Sequence, residues 1–510
     1  MLEARNLWEL VTKRAAETPD DRMAVDEGGR TLTFGEFVAA AERAAAGLLA
    51  QGVGEGSVVS WQLPSWLESM VLVAALSRLG AIQNPILPIY REREVGFIAR
   101  QARTSLLVVP STFRGFDFEA MAGGIAVQVP GLKVLICDRL LPEGDPSTLP
   151  PPPDPTAEPP VRWLFYTSGT TADPKGAQHT DVTIDAAARG MAERLALEPG
   201  DRHSLVFPFT HIGGIIWLFA GLRVGMTNIV DEAFNPETTI PLLQREGVTL
   251  AGSGTFFHLA YLKAQRDLAA GSKLFPMVRG FPGGGAPKPP QLHYDIKNEL
   301  GGAGIISGYG LTETPILTMA SVDDSDEALA NTEGSAMRAV QLRVVTLDEK
   351  EAGIGEEGEI RAKAPQTMKG YLDSSLDAAA FDDEGWFRTG DLGHIDAEGM
   401  VTITGRLKDI IIRKGENISA KEIEDLLFTH PLVADVAVIG LPDASSGERA
   451  CAVVALKDAA APLAFDVMKS FLKEKGLRVQ AIPEQLEIVD ALPRNPAGKV
   501  LKQDLKARYS

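Results

Sequence analysis

The chain alternates between short apolar runs and longer segments whose apolar residues recur at helical spacing. An alanine-rich helical period covers residues 34–53, a strand-like run covers 58–63, and a second helical period covers 66–79 and ends at Gly80. Further strand-like runs lie at 105–109, 132–137 and Thr227–Val230. This alternation predicts an α/β fold with layers built around largely parallel sheets.

The pattern changes after the run Gly-Arg-Leu-Lys-Asp at residues 405–409. The following segment has a mixed pattern of its own that is sufficient for a small α+β domain. Within it we predict helices at Ala420–Phe428 and 464–475 and strands at 433–439 and 450–456.

A chain of 510 residues should hold more than one folding unit, because single cores stop growing at roughly 250–300 residues. The proline-rich stretch at 150–160 is interpreted as a link between two subdomains of one large N-terminal domain. We therefore predict an N-terminal domain at 1–405, a hinge at 406–409 and a C-terminal domain at 410–510.

The composition is that of an ordinary globular enzyme, with 45% hydrophobic and 23% charged residues. The net charge of −18 argues against a nucleic-acid partner, which requires a basic face. A site for a phosphorylated ligand must therefore make its own positive field. Cys137 and Cys451 lie far apart in the sequence, so they indicate neither a disulfide framework nor a metal cluster, and a reducing compartment is the simplest interpretation.

The sequence predicts neither a targeting signal nor a membrane span. Residues 1–10 are interpreted as an amphipathic helix that lacks the basic start and apolar run of a signal peptide. The longest apolar stretch, at residues 212–222, is too short to cross a bilayer. We therefore expect a cytoplasmic protein.

Glycine, hydroxyl and lysine residues are concentrated at 166–176, where the chain reads Tyr-Thr-Ser-Gly-Thr-Thr-Ala-Asp-Pro-Lys-Gly directly after an apolar run. Glycines let a backbone fold tightly with its N–H groups directed at one centre, and hydroxyls and an ammonium add further donors. Such a loop is suited to phosphate oxygens, although Lys175 is followed by Gly176 and not by the Ser or Thr of the common nucleotide loop. The competing interpretation is a Ser/Thr/Gly-rich surface turn.

The order of these residues resembles the phosphate loop of the adenylate-forming superfamily, which includes acyl-CoA synthetases, luciferases and the adenylation domains of peptide synthetases. Ala172 stands where the usual family loop has Gly, while the hydroxyls and Lys175 are in place. The resemblance runs from about residue 8 to Lys499. It implies a large N-terminal domain of layered αβα subdomains and a small mobile α+β C-terminal domain. It also implies phosphate contacts from Thr167, Ser168, Gly169, Thr170, Thr171 and Lys175.

Two glycine-rich motifs follow in the order of this superfamily. The run Gly283-Gly284-Gly285-Ala286-Pro287 resembles its adenine-binding segment, which implies adenine contacts from Gly284, Gly285, Ala286 and Pro287. The run at 308–314 resembles the turn that places an aromatic residue near the adenine, binds the α-phosphate through Thr and binds Mg²⁺ through Glu. These roles fall on Tyr309, Thr312 and Glu313, with Gly310 in the same nucleotide site. The alternative for the second run is a tight turn with a solvated glutamate.

A carboxylate further along the chain resembles the ribose ligand of the superfamily. Asp391 stands in the run Trp-Phe-Arg-Thr-Gly-Asp-Leu at 386–392, and the family aspartate at this place accepts hydrogen bonds from both ribose hydroxyls. A carboxylate suits a vicinal diol because it is acceptor-only and can bind in a bidentate manner. The alternative is a helix-capping or turn aspartate.

The remaining motifs belong to the hinge and the C-terminal segment. The resemblance implies that Arg406 contacts ribose or phosphate and that the C-terminal domain rotates about Lys408. It places Lys414 and Gly415 along the tunnel for the pantetheine arm, where an ordinary charged β-turn is the competing interpretation. It gives Lys499, after Pro-Arg-Asn-Pro-Ala-Gly, a contact with the carboxylate and α-phosphate oxygens during adenylation. Without that context, a lysine near the end of a chain is usually a solvated surface residue.

His211 resembles the residue that borders the carboxylate site for the acid substrate in this family. The alternative is a histidine with a purely structural role. No aspartate follows it at the place where amino-acid-activating relatives pair the substrate ammonium, and a buried unpaired ammonium is costly. We therefore expect a hydrophobic acid, fatty or alicyclic, and not an α-amino acid. Residues 113–117 and 176–180 also resemble the cyclohexanecarboxylate–CoA ligase branch. The expected pocket residues are Ile212, Gly213, Thr255, Phe256, Gly283, Gly308, Thr314 and Pro315.

The resemblance implies an AMP-forming acid–CoA ligase that uses ATP, Mg²⁺ and coenzyme A. A carboxylic acid and ATP would give acyl-adenylate and pyrophosphate, and CoA would then displace AMP. One alternative is an acyl-AMP ligase that loads a carrier protein in trans, and another is a nucleotide-binding regulatory paralogue without turnover. The expected partners are the small-molecule acid and CoA, and family habit suggests a homodimer.

Overall fold

The computed structural model describes residues 1–154, 158–167, 173–286, 288–413, 416–443, 445–458, 461, 463–495 and 497–510. Its helices within these ranges are α1 Leu7–Glu17, α2 Phe34–Ala50, α3 Leu67–Arg78, α4 Glu92–Gln101, α5 Phe118–Gln128, α6 Asp181–Arg194, α7 Ile212–Val224, α8 Pro236–Arg245, α9 Thr255–Arg266, α10 Pro290–Glu299, α11 Asp326–Asn331, α12 Asp377–Ala380, α13 Ala420–Phe428, α14 Phe465–Glu474 and α15 Lys502–Tyr509.

The strands, in the same chain order, are β1 Arg22–Asp26, β2 Thr31–Thr33, β3 Val58–Trp61, β4 Ile82–Pro85, β5 Leu106–Val109, β6 Thr112–Phe113, β7 Phe116–Asp117, β8 Lys133–Ile136, β9 Trp163–Thr167, β10 Lys175–His179, β11 Arg202–Leu205, β12 Thr227–Val230, β13 Phe281–Gly284, β14 Ile305–Leu311, β15 Thr314–Met319, β16 Ser335–Ala336, β17 Gln341–Val345, β18 Gly358–Lys363, β19 Phe387–Ile395, β20 Val401–Arg406, β21 Ile411–Arg413, β22 Glu416–Ile418, β23 Val433–Asp443, β24 Gly447–Leu456 and β25 Gln485–Val489.

Two sheets with mainly parallel neighbours form the first part of the chain. A six-stranded sheet has the order β10-β9-β4-β3-β5-β8, in which only the β9–β10 pair is antiparallel. A four-stranded sheet has the order β11-β12-β1-β2, with β2 antiparallel to β1. Apolar faces of α1, α2, α3, α6 and α7 join these sheets in one core, whose large fully buried side chains include Trp61, Trp163 and Phe219. This part confirms the predicted α/β layers.

The later sheets of this region depart from the prediction of largely parallel pairing. β13 is parallel to β14, but β14, β15 and β16 are antiparallel neighbours, and so are β17 to β20. The turn between β19 and β20 is too short for a parallel connection, which needs a crossover of about a dozen residues or more. The apolar pattern predicts where strands lie, but it does not specify which strands pair or in which direction.

The C-terminal segment forms a five-stranded sheet in the order β22-β21-β24-β23, with β25 beside β24. Apolar residues of α13 and α14, among them Ile423 and Met468, pack with this sheet in a separate core. The predicted bounds of α13 are confirmed, and both predicted strands exist, although β23 and β24 extend beyond the predicted ranges. The large α/β domain followed by a small α+β domain is thus the observed fold class.

The prediction for the N-terminal helix was wrong in its bounds. The helix covers Leu7–Glu17 and not residues 1–10, because the Asn6 side chain accepts a hydrogen bond from Glu9 N and caps the helix at that point. The predicted helices at 34–53 and 66–79 are confirmed as α2 and α3, each shorter by a few residues. No helix in the described part of the chain combines the length and apolar character that a membrane span requires.

Candidate active site

The strands β9 and β10 hold the two ends of the predicted phosphate loop. Thr167 and Lys175 are partners across this antiparallel pair, so the chain leaves and returns at one place. Lys175 Nζ lies 5.4 Å from the centroid of the Tyr371 ring. The other predicted phosphate contacts, Ser168, Gly169, Thr170 and Thr171, lie outside the described residues. The described part of the loop thus contributes one ammonium beside an aromatic ring.

The predicted adenine segment lies on β13, next to β14. Gly284 is the partner of Gly308 in this parallel pair, and both residues are half-buried, as is Gly283. A Cβ atom on Gly284 would lie 2.8 Å from the Gly308 carbonyl oxygen, so any larger residue would force the two strands apart. Ala286 follows as a half-buried residue and Gly285 as an exposed one, while Pro287 lies outside the described residues. The two strands present open backbone, which fits a planar base.

Thr312 and Glu313 form the hairpin turn between β14 and β15, so Tyr309 and Gly310 belong to a strand and not to the predicted turn. His179 Nε2 donates to the Thr312 carbonyl oxygen at 2.9 Å. Burial lowers the pKa of His179 to about 4, so this histidine is neutral and acts as a hydrogen-bonding strut. The turn is thereby tied to β10, the strand that leaves the phosphate loop.

The Glu313 carboxylate is buried and held on one side only. Its Oε1 accepts a hydrogen bond of 2.8 Å from the Tyr371 hydroxyl, and its backbone carbonyl accepts one of 2.8 Å from Met368 N. Its Oε2 accepts no hydrogen bond from the residues that the structure describes. Because Mg²⁺ prefers carboxylate and phosphate oxygens, Glu313 fits the metal that the fold family implies.

Asp391 on β19 is the centre of a buried polar group. Its Oδ2 accepts a hydrogen bond of 2.9 Å from the Tyr309 hydroxyl. Arg406 Nε lies 2.7 Å from its Oδ1 as an ion pair without hydrogen-bond alignment, so among the described residues Oδ1 has no aligned donor. Burial raises the pKa of Asp391, and the nearby Arg406, Tyr309, Lys499 and Lys408 oppose that rise. A buried acceptor of this kind fits a ribose hydroxyl.

Lys499 reaches the same place from the C-terminal domain. Gly498, with a φ of +81°, packs so closely that a Cβ atom there would lie 2.9 Å from Phe256 Cβ. Burial, and then the cations Arg406 and Lys408, lower the pKa of Lys499 to about 8. Since part of the Lys499 side chain is still exposed to solvent, the two neighbouring cations are the firmer cause of this shift.

His211 is the N-cap of α7, and its Nδ1 accepts a hydrogen bond of 3.1 Å from Gly213 N. Burial lowers the pKa of His211 to about 4. The ring is therefore neutral, with its proton on Nε2, and can donate one hydrogen bond. Ile212 and Gly213 form the first turn of α7, and no acidic residue lies in that turn.

The other predicted pocket residues lie on two elements near these groups. Thr255 and Phe256 begin α9, and 37% of Phe256 is exposed. Phe256 packs against Gly498 in the segment 497–499, which we call the Lys499 loop. Thr314 and Pro315 begin β15 and are buried. Trp217, one turn after Gly213 on α7, stacks on His203 with 3.5 Å between ring centroids.

The predicted tunnel residues Lys414 and Gly415 lie outside the described residues. The flanking Arg413 is engaged within the C-terminal domain, where its guanidinium lies 2.5 Å from Glu484 Oε1. Between β20 and β21, residues Leu407–Asp409 form a short 3-10 helix that contains Lys408.

Sequence reasoning missed Tyr371 and the contact of His179. Their partners Glu313 and Thr312 lie 58 and 133 residues away, and no local pattern announces such pairs. The available signal in the sequence was His179, a histidine that lies shortly after the candidate phosphate loop. The described groups together offer hydrogen-bond acceptors for ribose, a carboxylate for a metal and ammonium groups for phosphate, which are the requirements of nucleotide-dependent acyl activation.

Comparisons with known proteins agree with this arrangement. The family model described as "AMP-binding enzyme" matches residues 11–372, and the model described as "AMP-binding enzyme C-terminal domain" matches residues 422–499. The medium-chain fatty-acid–CoA ligase of Escherichia coli is 30% identical, covering 97% of this chain and 90% of the relative. The salicyl-AMP ligase / salicyl-S-ArCP synthetase of Mycobacterium tuberculosis is 31% identical, covering 98% and 90%.

A solved structure shows the same fold over its full length. The ATP-bound MatB of Rhodopseudomonas palustris has a TM-score of 0.86 at 27% identity, covering 99% of this chain and 99% of that one. The family models together span both domains of the chain. The chain therefore belongs to the AMP-binding enzyme family of adenylate-forming acid ligases.

Proposed function

We propose that this enzyme is an AMP-forming acid–CoA ligase for a hydrophobic carboxylic acid. The observation that carries the proposal is the proximity of Lys499 from the C-terminal domain to Asp391 from the N-terminal domain and to Arg406 at the start of the predicted hinge. An ammonium beside a ribose-binding carboxylate is placed to neutralise charge near the α-phosphate. This geometry suits the first half-reaction, the formation of an acyl-adenylate.

In the first half-reaction, Asp391 would hold the ribose hydroxyls, and the open backbone at Gly284 and Gly308 would take the adenine. Glu313 would hold Mg²⁺, which supplies neutralisation of the triphosphate charge when bound. A carboxylate oxygen of the acid attacks the α-phosphorus, the bond to the β-phosphate oxygen breaks, and pyrophosphate leaves. Lys499 donates to the oxygens that gain charge in this step.

In the second half-reaction, the CoA thiolate attacks the acyl carbonyl carbon and AMP leaves. The proximity of Lys499 to Asp391 and Arg406 supports an adenylation arrangement, so the proposal requires the C-terminal domain to turn before CoA reacts. We propose residues 406–409 as the hinge between domains 1–405 and 410–510, with Lys408 at its centre. The turn would bring Lys414 and Gly415 to the pantetheine arm.

Features around α7 support a hydrophobic acid. His211 offers one neutral donor to the carboxylate, and the first turn of α7 carries no acid to pair an ammonium. Phe256 supplies an apolar surface beside the Lys499 loop. Fatty and alicyclic acids match this combination, and the E. coli relative is named for a medium-chain fatty acid.

A carrier protein as acyl acceptor is the second candidate, because the M. tuberculosis relative is named both an AMP ligase and an S-ArCP synthetase. Product analysis by mass spectrometry separates the two. The purified protein is incubated with Mg-ATP and a panel of fatty, alicyclic, aryl and amino acids, with and without CoA. Acyl-CoA formed only with CoA supports the proposal. Acyl-adenylate that accumulates whether or not CoA is present points to a carrier, and the absence of any acyl product would contradict the proposed ligase function.

A further inference from the structure

Residues 368–372 connect the phosphate-loop strand to the Glu313 turn. This segment runs beside β10: Lys369 N donates to the Gln178 carbonyl oxygen at 2.8 Å, and Leu372 N donates to the Gly176 carbonyl oxygen at 2.7 Å. β10 begins at Lys175, so the segment is attached to the outgoing side of the phosphate loop. Its backbone is therefore fixed to the strand that follows the loop.

The same segment also donates two hydrogen bonds to Glu313. Met368 N donates to the Glu313 carbonyl oxygen, and the Tyr371 hydroxyl donates to Glu313 Oε1, each at 2.8 Å. Tyr371 is only 5% exposed, so its ring has little freedom to turn away from the carboxylate. One carboxylate oxygen is thus fixed, while Oε2 accepts no hydrogen bond from described residues.

The Tyr371 ring contacts a second charged group. Lys175 Nζ lies 5.4 Å from the ring centroid, within the range of a cation–π interaction. One buried side chain therefore touches both the carboxylate proposed for the metal and the ammonium proposed for the phosphates. These two groups must act on the same triphosphate, so their relative placement decides how well it is held.

We infer that Tyr371 is a positioning residue for adenylation, a role that rests on the proposed function of Glu313 and Lys175. Its hydroxyl holds Glu313 Oε1, which leaves Oε2 for the metal, and its ring holds Lys175 at the edge of the same site. Groups that orient a metal ligand typically change metal affinity or activity about 10–100-fold when they are removed.

The test removes the hydroxyl and keeps the ring. In Tyr371→Phe we expect Mn²⁺ affinity, measured by electron paramagnetic resonance with α,β-methylene-ATP present, to fall about 10–100-fold. The rate of adenylate formation should fall with it and recover in part at high Mg²⁺, while the thioester half-reaction from supplied acyl-adenylate stays unchanged. A matched control is Tyr294→Phe, because the Tyr294 hydroxyl also donates to a carboxylate, that of Glu327 at 3.2 Å, in an exposed contact. This variant should leave both Mn²⁺ affinity and the rate of adenylate formation unchanged.

A second variant tests the ring separately. Tyr371→Leu also removes the Lys175 contact, so the KM for ATP should rise above that of Tyr371→Phe. Mn²⁺ affinity in Tyr371→Phe equal to that of the unaltered protein would overturn the inference, as would equal loss of both half-reactions. The Mn²⁺ measurement needs neither acid nor CoA, so a protein that makes no acyl-CoA would contradict the proposed function without deciding this inference.

Discussion

Three positive side chains, Arg406, Lys408 and Lys499, surround Asp391 in a chain whose net charge is −18. Their mutual repulsion, added to burial, is what lowers the pKa of Lys499 to about 8. A bound triphosphate would relieve that repulsion, so the cluster is suited to an anionic ligand. The local positive field that the acidic composition demands is therefore concentrated at this one carboxylate.

Removing the Lys499 ammonium is expected to affect one half-reaction selectively. Loss of one preorganised donor to developing charge typically costs roughly 10²–10³ in rate, so Lys499→Ala should lose at least that much in acyl-adenylate formation. It should retain thioester formation from supplied acyl-adenylate. Pyrophosphate release and acyl-CoA formation measure the two halves, and Lys506→Ala on α15 serves as the control. Equal losses in both halves would refute the role given to Lys499.

The lowered pKa of Lys499 also predicts a pH dependence. The ammonium, which is the active form, is complete well below pH 8 and is lost as pH rises through about 8. We expect kcat/KM for acid-dependent pyrophosphate release to fall over that range, because this ratio reports groups of the free enzyme. The facing groups Arg406, Lys408, Asp391 and Asp409 set the midpoint. Lys499→Arg keeps its charge at all these pH values, so any fall in kcat/KM should move to higher pH. If kcat/KM of the unaltered protein does not fall above pH ~8, the role given to the Lys499 ammonium is contradicted.

The elements that bear the site could be predicted to different degrees. The bounds of α13 follow from its apolar period and from Ser419, whose side chain accepts a hydrogen bond from Glu422 N as N-cap. The pairing of β13 with β14 and the attachment of residues 368–372 to β10 could not be predicted, because each joins residues distant in sequence. Motif residues such as Asp391 could be proposed for the site from their order along the chain, whereas Tyr371 carries no pattern of its own.

Docking of the Lys499 loop on α9 gives a prediction at the scale of elements. In Gly498→Ala, the new Cβ would meet Phe256 Cβ at 2.9 Å in a backbone with a φ of +81°. The loop should be displaced, and adenylate formation should fall while the thioester half-reaction persists. Gly476→Ala is the matched control, since its φ is +83° and nothing lies within 4 Å of the added Cβ. Both variants carry similar backbone strain, so equal activities in a pyrophosphate assay would show that the docking is unimportant.

At the scale of the whole molecule, the contacts between the two domains bear on the proposed domain rotation. Besides the Lys499 loop, the domains meet where Ser419 Oγ donates to the Thr404 carbonyl oxygen at 2.7 Å and where Phe428 packs against the main core. The connection between them is short, because β20 ends at Arg406 and β21 begins at Ile411. The domain rotation that we propose would therefore be absorbed by few residues, and the predicted hinge at 406–409 overlaps this connection.

A less flexible connection should impair the second half-reaction and spare the first, which is the reverse of the effect expected for Lys499→Ala. Lys408→Pro fixes φ near −65°, which a 3-10 helix accepts but a rotating hinge does not. We expect adenylate formation to persist and acyl-CoA formation to fall strongly, with Lys408→Ala as the control that keeps backbone freedom. Single-turnover mass spectrometry follows both products. Undiminished acyl-CoA formation by Lys408→Pro would place the hinge elsewhere.

The most direct test of the account as a whole follows oxygen atoms through the complete reaction. An accepted acid labelled with ¹⁸O in both carboxylate oxygens is converted with Mg-ATP and CoA, and the products are weighed by mass spectrometry. Attack of the carboxylate on the α-phosphorus requires that AMP leave with one ¹⁸O and that acyl-CoA keep the other. Unlabelled AMP, or label found in ADP or inorganic phosphate, would contradict an acyl-adenylate route and with it the functions given to Asp391, Glu313 and Lys499.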